Sequence, residues 1–79
     1  MMAIEKVLGH VIRHIVTQPD QVLLHVVEAE GKYTVRVHVA VEDIARVIGS
    51  EGRTLRSLRH VAAAIGSADN KDVYVELVK

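Results

Sequence analysis

The clearest chemical signal in this chain is the segment Val47–Arg53, which reads Val-Ile-Gly-Ser-Glu-Gly-Arg. Gly49 and Gly52 stand three positions apart, and glycines at this spacing let the backbone turn sharply, expose its N–H groups and approach another molecule closely. A helix is predicted to begin directly after the loop, so its N-terminal N–H groups and positive dipole end would face the same place. The segment therefore predicts an anion site, and a nucleic-acid backbone is an anion of suitable shape.

Basic side chains are concentrated around this tetrad, although the chain as a whole is neutral. Ten basic and ten acidic residues among 79 argue against the strong, indiscriminate nucleic-acid binding that a large basic surface gives. From residue 46 to residue 59, however, one acid, Glu51, is outnumbered by four arginines: Arg46, Arg53, Arg56 and Arg59. Basic character therefore surrounds the tetrad, and the alternative interpretation is a solvated helix face.

Composition excludes several classes of protein. The chain has no cysteine, so neither a disulfide framework nor a cysteine-based zinc site is possible. Tyr33 and Tyr74 are its only aromatic residues of the Phe, Trp and Tyr group, which excludes the modules that stack bases on an aromatic sheet. Its length and 49% hydrophobic content indicate one globular domain. No signal peptide and no apolar run approaching the length of a membrane span is apparent, so a cytoplasmic location is expected.

Catalytic and metal-binding patterns are weak. His10 and His14 have the spacing of two metal ligands on a helix, but they fall on its polar side with no third ligand nearby in sequence. The Gly-Lys-Ser/Thr of a phosphate-binding enzyme loop is missing, and there is no nucleophile and base signature. We therefore expect a protein that is not an enzyme and has neither metal nor cofactor.

Apolar spacing predicts an α+β fold with the order α-β-β-α-α-β. The first helix follows from apolar residues spaced three and four apart, and the strands from alternation of apolar and polar residues. Three helices would cover one face of a three-stranded sheet and leave the other face more polar. The expected elements are helices over 4–15, 42–48 and 53–65, strands over 21–30, 33–41 and 71–78, and a turn over 67–70.

Two local signals accompany these elements. Glu42 and Asp43 stand at the start of the second helix, where their charges would suit the helix dipole. Gly66 follows the last apolar position of the third helix and is predicted to cap its C-terminus.

The segment Val41–Leu58 resembles the core of a K-homology (KH) domain, which carries the signature Ile-Gly-x-x-Gly between two helices. Because the strand pair precedes the loop, the order resembles the type II, prokaryotic arrangement. Over residues 2–79 the chain is similar in length and layout to small bacterial single-KH proteins of the KhpA (YlqC) family. The resemblance implies one type II KH-like domain over residues 1–79, with a three-stranded sheet and its helices on one face.

The same resemblance implies that the chain binds single-stranded RNA. In such domains the Gly-x-x-Gly loop clamps the backbone of about four nucleotides, and the bases lie in an aliphatic groove beside it. Here the loop is Gly49, Ser50, Glu51 and Gly52. The expected groove residues are Ile44, Ile48 and Leu55 on the helices, with Val37 and Val39 as alternatives on the strand, and the expected phosphate or base ligands are Arg46, Arg53 and Arg56.

One departure from the family pattern concerns the two variable loop positions, which in RNA-binding relatives usually include a basic residue. Here they are Ser50 and Glu51. A carboxylate about 6 Å from a phosphate costs roughly 0.7 kcal/mol in a water-like dielectric. We therefore expect weak RNA binding, about micromolar, that falls steeply with salt.

The family resemblance also implies partners and a cellular role. It implies a homodimer, or a heterodimer with a Jag-type KH protein (KhpB), an RNA chaperone-like activity, and a link to cell elongation, division and shape. Two alternatives to RNA binding stay open: the tetrad could be a tight turn without a ligand, or the chain could be an interaction or dimerisation module with little RNA binding. Tyr33 and Tyr74 could each contact a base at the sheet edge, or be partly buried.

Overall fold

The structure is a computed structural model that describes residues 3–79. It confirms an α+β fold with the predicted order of helices and strands. Short 3-10 turns at Pro19–Gln21, Val41–Asp43 and Ser50–Gly52 separate the regular elements. The helices are α1 (Ala3–Ile15), α2 (Ile44–Ile48) and α3 (Arg53–Ala68), and the strands are β1 (Leu23–Ala29), β2 (Lys32–His38) and β3 (Asp72–Leu77). No helix within the described range is both long and apolar enough to cross a membrane.

The three strands form one mixed sheet in the order β1-β2-β3. The β1–β2 hairpin is antiparallel, with Leu23 opposite His38 and Ala29 opposite Lys32. β2 and β3 run parallel, which requires a crossover connection, and α2, the glycine loop and α3 form that crossover. The glycine tetrad therefore lies within the connection between two neighbouring parallel strands.

The hydrophobic core lies between the helices and one face of the sheet. Strand residues that alternate along β2 are buried in it, and so are the apolar positions of α1 that repeat at helical spacing. The core residues are Ile4, Leu8, Ile12, Val22, Tyr33, Val35, Val37, Val47, Leu58, Ala62 and Val75. On the other face of the sheet, Leu23, Val27 and Tyr74 are among the exposed large hydrophobic residues. The helices thus cover one face, as the pattern predicted.

The second strand ends earlier than predicted. β2 ends at His38, and Val41 starts a 3-10 turn in which its side chain is 82% exposed. The apolar alternation thus continues past the strand, because Val39 still packs against the core while the backbone has already left the sheet. Glu42 and Asp43 lie in that turn, so α2 begins at Ile44 rather than at Glu42.

The prediction that Gly66 caps the third helix was wrong. α3 continues to Ala68, so the turn is shorter than the predicted 67–70 and consists of Asp69 and Asn70. Gly66 is buried inside the helix, and a Cβ atom at this position would meet the side chain of Val73 and lie 2.7 Å from the carbonyl oxygen of Lys71. The glycine allows close packing of α3 against β3. Local sequence pattern does not distinguish a glycine needed for such packing from one that caps a helix.

Candidate nucleic-acid interface

The glycine tetrad forms a tight connection between α2 and α3. Gly49 has φ 77° and ψ 174°, a conformation that is essentially restricted to glycine. Glu51 and Gly52 follow with φ 56° and 73°, both in the left-handed region. The N–H of Gly49 donates to Ala45 O at 2.9 Å, and the N–H of Gly52 donates to Gly49 O at 3.1 Å. The backbone therefore turns within four residues and is held by its own hydrogen bonds.

The two glycines of the tetrad have different surroundings. A Cβ atom on Gly49 would clash with the side chain of Thr54 and lie 2.9 Å from its backbone nitrogen. A Cβ atom on Gly52 would meet nothing within 4 Å. Gly49 is therefore needed for the turn itself, whereas Gly52 leaves open space in which another molecule can approach the backbone.

The charges at the tip of the loop partly neutralise one another. Arg53 Nη2 lies 3.3 Å from Glu51 Oε2, and both side chains are mostly exposed. Arg56 Nη2 donates to the carbonyl oxygen of Glu51 at 3.3 Å. The two arginines therefore flank the loop, as predicted, and they also hold the one acid in it. Exposed pairs of this kind contribute little to stability, so the arginines can turn to an external anion at small cost.

The other two arginines of the basic segment point to different places. Arg46 Nε lies 3.8 Å from the Asp43 carboxylate, at the start of α2 rather than at the tip of the loop. Arg59 Nη2 lies 3.5 Å from the carbonyl oxygen of Val75 on β3. The structure therefore brings Arg53 and Arg56 together at the loop, places Arg59 against the sheet edge, and leaves Arg46 engaged at the other end of the short helix.

A cleft of about 300 Å³ begins beside the loop. It is lined on the helical side by Ile48, the residue before Gly49, and by Leu55 in the first turn of α3. Arg59, Tyr74, Glu76, Leu77 and Lys79 complete the lining. The cleft thus combines an aliphatic side with basic side chains and the outer edge of β3.

The outer edge of β3 offers hydrogen-bonding groups to this cleft. The N–H groups of Asp72 and Val78 donate towards β2, to Gly31 O and Val37 O. Because N–H groups of successive strand residues point to opposite sides, those of Val73, Val75 and Leu77 point away from the sheet. Of these three residues only Leu77 lines the cleft, because Val75 is buried and its carbonyl oxygen already accepts from Arg59. Leu77 is therefore the position at which the strand edge offers a backbone N–H to the cleft.

Three predicted groove residues lie elsewhere. Val37 is 1% exposed and belongs to the core, and Val39 packs against it, because that face of β2 supports the helices. Ile44 is half-buried at the start of α2 and is not among the residues that line the cleft. The strand that borders the cleft is β3, so its residues Glu76 and Leu77 were missed, together with Arg59 and Lys79.

The two tyrosines have separate environments. Tyr33 is buried on the central strand and its hydroxyl donates to Asp69 Oδ2 at 3.1 Å, so it is not at a sheet edge. Burial, together with the nearby Asp69 carboxylate, raises the pKa of Tyr33. Tyr74 is 49% exposed, lines the cleft and carries Lys32 Nζ 5.4 Å from its ring centroid. Only Tyr74 is placed to contact a base.

The start of α2 is anchored by a buried carboxylate. Asp43 is fully buried and accepts hydrogen bonds from the backbone N–H and the hydroxyl of Thr17, both at 2.9 Å, and from the N–H of Gln18 at 3.1 Å. The Thr17 backbone bond is the main cause of a lowered pKa for Asp43, which burial opposes. Asp43 therefore joins the α1–β1 connection to the helix that leads to the loop, a role different from the predicted interaction with the helix dipole.

A larger cleft, about 570 Å³, lies at the opposite end of β3. Its one lysine, Lys71, is paired with Glu28 at 2.7 Å, and Asp72 adds a carboxylate. The smaller cleft has two basic residues, Arg59 and Lys79, and one acid, Glu76, which is paired with Arg36. The smaller cleft is therefore the better site for an anionic ligand. The rings of His10 and His14 have centroids 4.4 Å apart and are tilted by 51° to one another. The described residues contain no group of three or more potential metal ligands.

The arrangement defines a class of domain. A mixed sheet, a helical crossover interrupted by a glycine tetrad, and a cleft between that tetrad and the parallel edge strand together make up a type II KH-like fold. A family model described as "KhpA/KhpB, KH domain" matches residues 5–77, and the chain belongs to this family.

Relatives from distant bacteria agree with this assignment. The RNA-binding protein KhpA of Thermotoga maritima is 32% identical over 75 residues, which cover 95% of this chain and 99% of the relative. The RNA-binding protein KhpA of Chlamydia caviae is 32% identical over 74 residues, which cover 91% of this chain and 92% of the relative. The RNA-binding protein KhpA of Mycobacterium leprae is 46% identical over 57 residues, which cover 72% of this chain and 71% of the relative. No solved structure gives a significant match.

Proposed function

We propose that this protein binds single-stranded RNA, with the sugar–phosphate backbone against the loop Gly49–Gly52 and the bases in the adjoining cleft. The observation that carries the proposal is the juxtaposition of the open backbone at Gly52 with the cleft that Ile48 and Leu55 line. The names of the relatives, which describe RNA-binding proteins, support it. The proposal is for a binding protein that acts in the cytoplasm, without a catalytic step, a metal or a cofactor.

The phosphates would be bound by the loop backbone and two arginines. Arg53 and Arg56 flank the tip on exposed side chains, and Gly52 allows a phosphate to approach the backbone. Ser50 adds a hydroxyl at the same tip. The charge of Glu51 repels a phosphate at the loop. Its pairing with Arg53 reduces this repulsion, but an RNA phosphate would compete with Glu51 for the same guanidinium group. These contacts are consistent with about micromolar affinity.

The bases would lie in the cleft rather than on an aromatic platform. Ile48 and Leu55 offer aliphatic contact, and the edge of β3 offers a backbone N–H that can pair with a base edge. Tyr74 adds one ring for stacking, which is worth about 1–3 kcal/mol per base in single-strand binding proteins. Ile44 is the first residue of α2, and the side chain of Arg46 is engaged with Asp43, so we assign these two residues a lesser part.

The experiment is a salt titration of RNA affinity with charge-neutral variants. A fluorescein-labelled random-sequence 10-nucleotide RNA is titrated with the protein, and fluorescence anisotropy gives Kd at several salt concentrations. For single strands the slope of log affinity against log salt is about 0.7 per phosphate contact. The double variant Arg53→Gln/Arg56→Gln should therefore lose about 1.4 from the slope, whereas Lys6→Gln, on the exposed face of α1, should leave the slope unchanged.

Gly52→Asp tests the loop itself. Because the position is open and aspartate tolerates a left-handed backbone, the variant should fold, and its carboxylate should weaken RNA binding by tenfold or more. Equal affinity for wild type, Gly52→Asp and the double arginine variant would remove the loop from the mechanism. Chemical-shift changes on adding RNA that avoid residues 48–56 would lead to the same conclusion.

An interaction module is the second candidate. Leu23 and Val27 are 62% and 47% exposed on the uncovered face of the sheet, and apolar surface of this kind is typical of a contact with another protein. We propose that the chain assembles either with a second copy or with a Jag-type KH partner (KhpB), and that RNA chaperone-like activity and control of cell elongation, division or shape depend on that assembly. Light scattering of the pure protein and of its mixture with the partner tests this, and a monomer in both would contradict it.

A further inference from the structure

The fully buried Asp43 stands at the junction of three parts of the molecule. Its carboxylate accepts three hydrogen bonds from Thr17 and Gln18, which belong to the connection between α1 and β1. Its backbone lies at the entry to α2, and its side chain is 3.8 Å from Arg46 on that helix. Among the described residues it is the one buried charged side chain. A buried carboxylate is costly unless its hydrogen bonds are satisfied, and here the α1–β1 connection satisfies them.

The helix between Asp43 and the loop depends on such anchoring. α2 has five residues, far fewer than the roughly 12–15 at which an isolated helix becomes even marginally stable. No side chain caps its N-terminus. One end of α2 is held by the Asp43 carboxylate, and the other end leads to Gly49, whose N–H closes the last turn on Ala45 O. The distance from Asp43 to Gly49 corresponds to about 9 Å along a helix at about 1.5 Å per residue, so a change of tilt at one end displaces the other.

We infer that Asp43 is a positioning residue for the RNA-binding loop: through α2, its carboxylate fixes the loop Gly49–Gly52 relative to the α1–β1 connection at Thr17 and Gln18. The expected effect of Asp43 on RNA affinity rests on the proposed function, whereas its expected effect on the orientation of the loop does not. Asp43 is not expected to touch RNA. Its effect on RNA affinity comes from the orientation of the loop amides and of Arg53, which lie at the far end of the helix that it holds.

The test separates positioning from general stability. Asp43→Asn keeps the shape of the side chain but removes its charge and replaces one oxygen by a donor, which then faces either the two Thr17 donors or the Gln18 N–H. Val35→Ala, in the core on β2, is the control for lost stability at a distance from the loop. For each variant we would measure the urea midpoint, amide hydrogen exchange at Gly49, Gly52 and Arg53 by NMR, and the affinity for the labelled random-sequence 10-nucleotide RNA.

The expected result is a difference that stability does not explain. In Asp43→Asn the exchange of the three loop amides should accelerate at least tenfold beyond the acceleration that its urea midpoint accounts for, and RNA affinity should fall at least fivefold. In Val35→Ala, exchange at these amides should follow global stability, and RNA affinity should stay within twofold of wild type while the protein is folded.

Equal behaviour of the two variants, once corrected for the urea midpoint, would overturn the inference and leave Asp43 a purely structural residue. If Asp43→Asn does not fold, Thr17→Val replaces it, because this change removes one of the three hydrogen bonds and keeps the two from backbone N–H groups. Its loop exchange should accelerate less, but still more than stability explains, and unchanged exchange would overturn the inference. Absence of RNA binding by wild type would refute the proposed function, whereas the exchange measurements would still decide the role of Asp43.

Discussion

Replacing each glycine of the tetrad by alanine separates the structural role of the loop from the RNA-binding role proposed for it. Gly49 and Gly52 are the two fixed glycines of the motif, and both have positive φ values. By motif and backbone conformation alone, the two positions look equivalent. Their surroundings differ, because a Cβ atom on Gly49 meets Thr54 whereas one on Gly52 meets open space. We predict that Gly49→Ala mainly destabilises the protein and that Gly52→Ala mainly weakens RNA binding.

The magnitudes follow from backbone strain and crowding. Gly52→Ala keeps a left-handed backbone at φ 73° and ψ 14°, which costs about 1–2 kcal/mol for a residue with a Cβ atom. Gly49→Ala faces a strained region at about 1–3 kcal/mol and crowding against Thr54, for which overpacking typically costs another 1–3 kcal/mol. We expect losses of about 1–2 kcal/mol for Gly52→Ala and about 4 kcal/mol, the middle of the summed range of about 2–6 kcal/mol, for Gly49→Ala.

Thermal and urea unfolding followed by circular dichroism measure these losses, since the chain has no tryptophan. For domains of 60–100 residues, 1 kcal/mol lowers Tm by roughly 4–8 °C. Gly52→Ala should therefore lower Tm by about 4–16 °C, and Gly49→Ala by about 16 °C or more. At a temperature where both are folded, Gly52→Ala should show the larger loss of RNA affinity per kcal/mol of stability lost.

A double-mutant cycle identifies the source of the crowding. Thr54→Gly removes the side-chain atoms that a Cβ on Gly49 would meet, so Gly49→Ala should cost less in the Thr54→Gly background. We expect a coupling free energy of about 1 kcal/mol or more, within the range for residues in contact. Equal losses for Gly49→Ala and Gly52→Ala, or a coupling near zero, would refute the assignment of structural need to Gly49.

Three further predictions concern single residues. Glu51→Gln should raise RNA affinity about threefold, because the roughly 0.7 kcal/mol repulsion from a phosphate disappears, and anisotropy titration at low salt measures it. Asp43 has a folded-state pKa below its unfolded value, so its stabilisation is present above the unfolded value and is lost as pH falls through the folded one. Asp43→Asn should therefore flatten the fall in urea midpoint as pH drops below the ordinary aspartate pKa of 3.8. Gly66→Ala should destabilise by about 1–3 kcal/mol despite alanine's helix propensity, because its Cβ would meet Val73, and a gain in urea midpoint would contradict this.

Local pattern predicted the order of the elements because each of them carries its own periodicity. The apolar spacing of α1 and the alternation along β2 are strong because one side of each element is buried. The pattern misplaced the end of β2 and the end of α3, because tertiary contacts decide where these elements stop. Val41 continues the alternation of β2, yet it lies in a 3-10 turn because the chain must leave the sheet to form the crossover. Gly66 looked like a cap because a glycine after an apolar helix usually is one.

The candidate site was only half predictable for a topological reason. Ile48, Leu55 and the flanking arginines are local to the glycine tetrad, so their place beside it follows from sequence alone. The sheet side of the cleft depends on which strand lies next to the crossover. With β2 in the centre and β3 at the edge, the apolar face of β2 at Val37 is buried under the helices, and the edge of β3 at Glu76 and Leu77 borders the cleft. The strand that borders the cleft is therefore set by the parallel pairing of β2 with β3, which places β3 at the edge.

Asp43 shows most clearly what local pattern does not contain. In sequence it is an acid before a helix, and the dipole interaction predicted for it is the common role of such an acid. Its actual partners, Thr17 and Gln18, lie 26 and 25 residues earlier, and nothing near Asp43 in sequence indicates them. Because α2 is too short to hold its own direction, we infer that the position of the glycine loop depends on this distant contact. A glycine signature therefore predicts that a loop exists, whereas its orientation depends on how the rest of the chain anchors the helix before it.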